Sequence, residues 1–231
     1  MMASEIFDGS LARKMDGLDD NLNNNLNNNF NQAGGPDGCP AERVKESING
    51  KIVMMAPAKF SHVTVGGNLY RIFFQYLKGK NCVPIPDGLL VKLTEKDHFV
   101  PDFMVVCDRD KIKSDGIRGA PDLVAEILSR STEYYDRGYK MRIYARCGVR
   151  EYWIIDTRLK SVEQYILKNG GFELLNLYGM PDQEELDCME PEEREAIRMR
   201  FTCAIFPELE IELKDIFYNP LDEAAERESE G

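Results

Sequence analysis

The chain has 231 residues, 43% of them hydrophobic, enough to bury a core of one domain or at most two. No stretch approaches the roughly 20 apolar residues needed to span a bilayer, and residues 1–18 lack the continuous apolar run of a signal peptide. The net charge of −11 argues against nucleic acid as a partner, but the charge is unevenly spread. Residues 1–41 hold 2 basic and 6 acidic residues and residues 179–231 hold 5 and 17, which leaves 22 and 17 for residues 42–178. The middle of the chain is therefore mildly basic, which permits DNA binding without demonstrating it.

Asn21 to Gln32 reads NLNNNLNNNFNQ and cannot bury enough apolar surface to offset its ordering entropy. Residues 1–41 are expected to be a disordered Asn-rich arm, with a tether or self-association segment as the alternative. A folded domain is expected over 42–218 and an acidic tail over 219–231. Asn49-Gly50 signals a tight turn before a strand at Lys51–Met55. Ser61 is placed to cap a helix running to about Lys78, in which Val65, Leu69, Ile72, Phe73 and Tyr76 recur at helical spacing. Gly66 and Gly67 each weaken that helix by about 1 kcal/mol and are expected to permit close packing on a sheet.

Strands are expected at Leu89–Leu93, Phe99–Cys107, 121–128, Glu151–Asp156 and Ser161–Leu167, with a helix from Thr132 to Cys147 ended by Gly148. Residues 180–200 read as acidic and helical from Pro191, and 205–217 as a returning strand or short helix. The order indicates an α/β domain with a mixed sheet. The six cysteines (Cys39, Cys82, Cys107, Cys147, Cys188 and Cys203) are widely spaced, with no C-x-x-C pair. With two histidines in addition, no zinc site is expected, and a reduced cytoplasmic protein with free thiols is.

Three polar residues interrupt this apolar frame. Asp102 follows Pro101 inside FVPDFMVV, and Glu126 sits in the middle of LVAEIL, on one strand face with Val124 and Leu128. A carboxylate in a buried sheet needs a partner, a metal or a proton, and two of them on neighbouring strands suit Mg²⁺. Asp136, Lys140 and Tyr144 share one helix face, so Lys140 could present its ammonium to that site. Two acids and a lysine suit phosphodiester hydrolysis, in which a metal polarises the phosphoryl group and the lysine stabilises developing charge. Each residue also has a plainer alternative. Asp102 could be turn chemistry, Glu126 could face solvent from an edge strand, and Asp136–Lys140 could be a surface ion pair.

The chain resembles the Uma2 family of the PD-(D/E)XK restriction-endonuclease-like superfamily over about Glu46 to Leu167. The match rests on ESINGKI at 46–52, His62, VPDFMVV at 100–106, GAPDLVAEILSRST at 119–132, DRGYKMRIY at 136–144 and GVREYWIID at 148–156. The resemblance implies a central mixed β-sheet flanked by helices and DNA cleavage dependent on Mg²⁺, with Mn²⁺ as a possible substitute. It assigns the metal to Asp102, Glu126 and Ile127, and catalysis to those two acids with Lys140 and Glu46. Position 128 is Leu where the superfamily usually has its lysine, which points to Lys140 on the following helix. Asp136 and Tyr144 match positions around that lysine. Arg130 stands where this family's L-S-P-S-T run has proline. His62 matches a family position and is read first as a capping or packing residue, and Trp153 as core. DNA and a homodimeric second copy are the implied partners; a non-cleaving binding or accessory protein of the same fold is the alternative, and a structure-specific or RNA-directed nuclease a third.

Overall fold

The computed structural model describes residues 45–54 and 57–222. The Asn-rich arm and the end of the acidic tail lie outside the described residues. No helix among the described residues is long and apolar enough to cross a membrane.

The first element is a hairpin, β1 (Lys45–Ile48) and β2 (Lys51–Met54). Its turn residues Asn49 and Gly50 both take positive φ (50° and 78°), the geometry that Asn-Gly favours. Helix α1 (Phe60–Leu77) follows. Lys59, not Ser61, occupies the N-cap position, and no side chain caps the helix; Ser61 is exposed in its first turn. Val65, Leu69, Phe73 and Leu77 form its buried stripe.

Next come β3 (Val83–Pro86), β4 (Val91–Lys92), β5 (His98–Phe99) and β6 (Phe103–Val106). The strand expected over Phe99–Cys107 is thus broken at Val100–Asp102, where Pro101 lacks an N–H for a ladder. After β7 (Ile112–Lys113) and β8 (Gly116–Arg118) comes β9 (Leu123–Ile127). A helical segment then carries the chain to the parallel neighbour of β9. It comprises α2 (Glu133–Tyr135), a π-helical turn (Asp136–Lys140) and α3 (Met141–Cys147), and ends at Gly148 with φ of 93°. β10 (Glu151–Asp156), β11 (Ser161–Lys168) and β12 (Gly171–Gly179) complete the main sheet. The acidic region forms α4 (Gln183–Cys188) and α5 (Pro191–Ala196), and the chain returns through β13 (Arg200–Cys203), β14 (Phe206–Glu212) and α6 (Leu213–Ile216).

The main sheet runs β12-β11-β10-β9-β6-β3 and is mixed, since only β9 and β10 are parallel. A second six-stranded sheet, β2-β1-β5-β4-β8-β7, and the β13–β14 hairpin pack around it. Side-chain alternation divides the core accordingly. Leu123, Ala125, Ile127, Trp153 and Ile155 face α1, the C-terminal hairpin and α6. Val124, Leu128, Tyr152 and Ile154 face α3 and the second sheet. This is the expected α/β architecture of a central mixed sheet flanked by helices.

The expectation of free thiols fails at one pair. β3 runs antiparallel to β6 with Val83 opposite Val106, so the next residues outward, Cys82 and Cys107, meet and form a disulfide. Their separation along the chain gave no sign of this, because the pairing depends on strand register. Cys147, Cys188 and Cys203 are free.

Candidate active site

Glu126 lies at the fourth position of β9, on the face lined by Val124 and Leu128, and is buried. Burial of this kind demands partners, and two elements, α3 and the π-helical turn, supply them. Tyr144 of α3 donates its hydroxyl to Glu126 Oε1 at 2.8 Å. Lys140, on the π-helical turn, places Nζ 3.3 Å from the same oxygen. Lys140 Nζ is also 3.2 Å from Asp136 Oδ1 and 3.0 Å from Glu46 Oε1, so β1, β9 and the π-helical turn converge on one ammonium group.

The surroundings hold these groups in place. Glu46 Oε1 accepts the N–H of Val100 at 2.8 Å, fixing the glutamate against the broken strand before Asp102. Asp97 accepts the Asn49 N–H and the Tyr139 hydroxyl, both at 2.9 Å, and so ties the hairpin turn to the π-helical turn. Tyr152 donates to the carbonyl of Asp136 at 2.9 Å, and the Phe99 ring packs edge-on to Tyr144 at 5.3 Å between centroids. Asp136, Lys140 and Tyr144 all point inward, as their spacing requires, and the surface ion-pair alternative is excluded by Lys140 being 1% exposed. The solvent-facing alternative for Glu126 falls with its burial.

Asp102 stands one residue before β6. Phe103 pairs with Ala125, so continuing the register sets Asp102 opposite Glu126. Its Oδ2 accepts the N–H of Ile127 at 2.6 Å, and its Oδ1 lies 3.0 Å from His62 Nε2. His62 is thus neither cap nor core packing but a partner of the first acid. The signal available in the sequence was its place in the first turn of the helix, one turn before Gly66, which lies over β9: a Cβ there would meet Ile127 Cδ1 at 3.6 Å and the carbonyl oxygen of Asp102 at 4.0 Å, ordinary contacts that do not demand glycine. His62 and Asp102, with side chains 18% and 13% exposed, form the open side of the site; Glu46, Glu126 and Lys140 form its closed floor. Arg130 is exposed on the loop after β9, a loop held by Ser129 Oγ to Ser131 and Thr132 at 3.0 and 2.9 Å, and the proline expected there is not needed to shape it.

The electrostatics follow from this packing. Burial pushes the Glu126 carboxyl well above its ordinary range; the charges of Asp136, Asp102 and Glu46 add to that, and Lys140 opposes it. Asp136 is raised in the same way, first by burial and then by Asp102 and Glu46, against Lys140 and Thr132. Burial alone would lower the pKa of Lys140, but the carboxylates of Glu126, Glu46, Asp136 and Asp102 together hold it well above normal. His62 shows the same contest: burial lowers it, and the hydrogen bond and charge of Asp102, with Asp87 and Asp136, leave it raised. Asp136 Oδ1 receives no well-directed hydrogen bond, so its closeness to Lys140 is charge attraction alone.

Four carboxylates around one lysine leave a surplus of negative charge, and every candidate donor is oxygen, which fits a hard divalent cation. Two side chains, Asp102 and Glu126, are the ones on adjacent strands; Ile127, being apolar, could add only its backbone carbonyl. Among the described residues no three His, Cys, Asp or Glu side chains are grouped to hold a metal. The donor set therefore amounts to two carboxylates plus main chain.

Comparison with known proteins places these features in context. Residues 38–197 match the model of the Uma2 family, described as "Putative restriction endonuclease". Two uncharacterized proteins of Synechocystis are similar: slr1290, 30% identical over 143 residues (61% of this chain, 75% of that protein), and sll1609, 27% identical over 129 residues (54% and 73%). The fold is similar to that of a crystal structure from Anabaena variabilis described as a "putative nuclease belonging to DUF820". The TM-score is 0.58 at 20% identity, over 77% of this chain and 91% of the other.

Proposed function

The chain belongs to the Uma2 family, and on that premise we propose that it is a metal-dependent endonuclease that hydrolyses DNA phosphodiester bonds at the Asp102–Glu126–Lys140 site. The observation that carries this reading is the convergence of Glu126, Glu46 and Asp136 on Lys140 Nζ within 3.0–3.3 Å, beside an Asp102 set opposite Glu126 by strand register. A fold stabilised by hydrophobic burial alone does not require four carboxylates about one lysine, and placing ions there opposes stability.

Asp102, Glu126 and the Ile127 carbonyl would hold Mg²⁺, or Mn²⁺ in its place. When bound, the cation supplies Lewis-acid polarisation of a phosphoryl oxygen and a lowered pKa for water. The protein's own groups do the rest. Asp102 is aimed by two contacts, His62 at Oδ1 and the Ile127 N–H at Oδ2, so its orientation is fixed before a substrate arrives. Lys140 stays protonated because its carboxylates stabilise the cation, and it offers positive charge where the phosphate gains negative charge. Glu46 holds Lys140 from β1, its Oε1 3.0 Å from Nζ.

One observation favours the rival reading, a DNA-binding or accessory protein that keeps the fold without cleaving: Lys140 is almost wholly buried and its charge is already matched by its neighbours. The deciding experiment is nicking of supercoiled plasmid by the parent protein and by Lys140→Ala, with Mg²⁺, Mn²⁺ or EDTA. Metal-dependent nicking by the parent, lost in the variant, supports the nuclease. A folded parent that binds DNA but leaves it intact in every metal supports the rival.

A further inference from the structure

Three carboxylates stand in a row across the main sheet. Phe103 of β6 pairs with Ala125 of β9 on one side and with Pro86 of β3 on the other. Both pairings are antiparallel, so continuing each by one residue puts Asp102 between Glu126 and Asp87. Asp87 comes two residues after Ile85, which packs on the same side of the sheet as Val124, and alternation brings Asp87 to the Glu126 side. β3 is the edge strand, four residues long, and Pro84 and Pro86 give it no N–H to donate. The Cys82–Cys107 disulfide closes its other end against β6 and so holds the register that delivers Asp87.

Like charges directly opposite one another on neighbouring strands oppose stability. Burial and the charge of Asp102 push the Asp87 carboxyl above its ordinary range, with Glu46 adding to them, while the Gly88 N–H and His62 relieve it. Asp87 in turn helps to raise His62, so the imidazole feels a carboxylate on each side. Among the described residues no lysine or arginine lies within ion-pair distance of Asp87. Turn chemistry does not call for this charge, because asparagine serves a turn before glycine as well as aspartate does.

We propose that Asp87 is a third carboxylate of the cation site, holding the ion through one of its waters on the open side beside Asp102. Opposed residues of paired strands have Cβ atoms about 4.5–5.5 Å apart, so a cation shared by Asp102 and Glu126 lies about one strand's width from Asp87, too far for a direct bond. Mg²⁺ binds oxygen at about 2.1 Å and keeps several waters. A carboxylate accepts from such a water at about 2.7 Å, and the two steps together span about 5 Å, one inter-strand spacing. A role through water also agrees with the lack, among the described residues, of three side chains grouped as direct ligands. The water so held lies where Asp102 and His62 leave the site open, over the closed floor of Glu46, Glu126 and Lys140.

This role of Asp87 rests on the metal-dependent reading of the site, and a test without DNA separates the two. Mn²⁺ binding to the full chain is measured by the paramagnetic resonance of the free ion, and melting temperatures are recorded in EDTA and in Mn²⁺. Asp87→Asn should bind Mn²⁺ at least about 10-fold more weakly than the parent, and Asp87→Glu should recover part of the loss. In EDTA, Asp87→Asn should melt at or above the parent's temperature, because the repulsion is relieved; in Mn²⁺ it should melt below it. A residue that only shapes the turn would shift both melts alike. Asp87→Asn binding Mn²⁺ as tightly as the parent overturns the proposal and leaves the nuclease reading standing. Weakened binding in the variant, with a parent that nicks no plasmid, removes the nuclease reading and keeps Asp87 in the cation site. A parent that binds no Mn²⁺ overturns both.

Discussion

Glu46 Oε1 lies 3.0 Å from Lys140 Nζ, joining the first hairpin to the π-helical turn through two buried groups of opposite charge. Among the described residues Lys140 is the one cation within ion-pair distance of Glu46, Glu126 and Asp136, so its loss strands three buried carboxylates. Removing one partner of a buried ion pair costs about 3–5 kcal/mol. Lys140→Ala should therefore lower the urea midpoint by that order, and Lys140→Ala with Glu126→Gln should recover part of it. Equilibrium unfolding of the two variants at neutral pH checks this. Equal stability of the parent and Lys140→Ala would mean that the lysine does not neutralise the cluster.

His62 acts on Asp102, 3.0 Å from its Oδ1. Among the described residues, His62→Ala leaves Asp102 with the Ile127 N–H, free to rotate about that contact. Loss of an outer partner of a metal ligand typically costs 10- to 100-fold in metal affinity or activity. The expected outcome is a nicking reaction that needs roughly 10-fold or more Mg²⁺ for half-maximal rate, with a melting temperature close to the parent's. An unchanged metal titration would remove His62 from the site.

Much of this site was legible in the sequence because strand and helix periods are strict. Glu126 shares a face with Val124 and Leu128, and Asp136, Lys140 and Tyr144 share a helix side; both follow from spacing alone. The join between Glu46 and Lys140 was not readable from spacing, since it depends on how a remote hairpin docks, and only family resemblance marked Glu46. The His62–Asp102 contact and the Cys82–Cys107 disulfide were missed for the same reason: each is a product of tertiary register. β3 was missed because Pro84 and Pro86 argue against a strand, yet both sit on the sheet's edge, where an absent N–H costs little. β12 was missed because FELLNLY lacks simple alternation, and a register shift between Gln164 and Tyr165 of its neighbour β11 accounts for that.

The segment carrying Lys140 is braced to the main sheet by Arg137, whose guanidinium reaches Glu163 at 2.6 Å and Glu133 at 3.1 Å. Burial tends to raise the Glu163 carboxyl, but hydrogen bonds from Arg137 and Tyr165 outweigh it and hold the pKa below its usual value. A carboxyl with a depressed folded pKa binds fewer protons folded than unfolded. Its stabilisation is complete above the unfolded pKa, about 4.3, and is lost as pH falls through the lower folded value. The parent's urea midpoint should therefore drop as pH falls below about 4.3, and Glu163→Gln should show a shallower drop over that window. Parallel acid limbs for the two proteins would exclude the brace as a source of acid sensitivity.

Glu151 performs a different task from Glu126, although both are buried acids on neighbouring parallel strands. Its Oε1 accepts from Trp153 Nε1 and Gln164 Nε2, both at 2.7 Å, and from the Ala204 N–H at 3.1 Å; its Oε2 accepts from the Ile205 N–H at 2.8 Å and Cys203 Sγ at 3.3 Å. Five donors around one carboxylate make it a structural anchor that binds the turn between β13 and β14 to β10. Glu151→Ala leaves those donors unanswered in a dry interior, and hydrogen bonds to a charged group are worth about 1.5–3 kcal/mol each. The expected loss is at least about 3 kcal/mol of unfolding free energy, with the near-ultraviolet signal of Trp153 changed. Because no metal or substrate group is assigned to Glu151, nicking activity at a temperature where the variant is folded should stay near the parental level. A variant with full stability and no activity would instead place Glu151 in the chemistry.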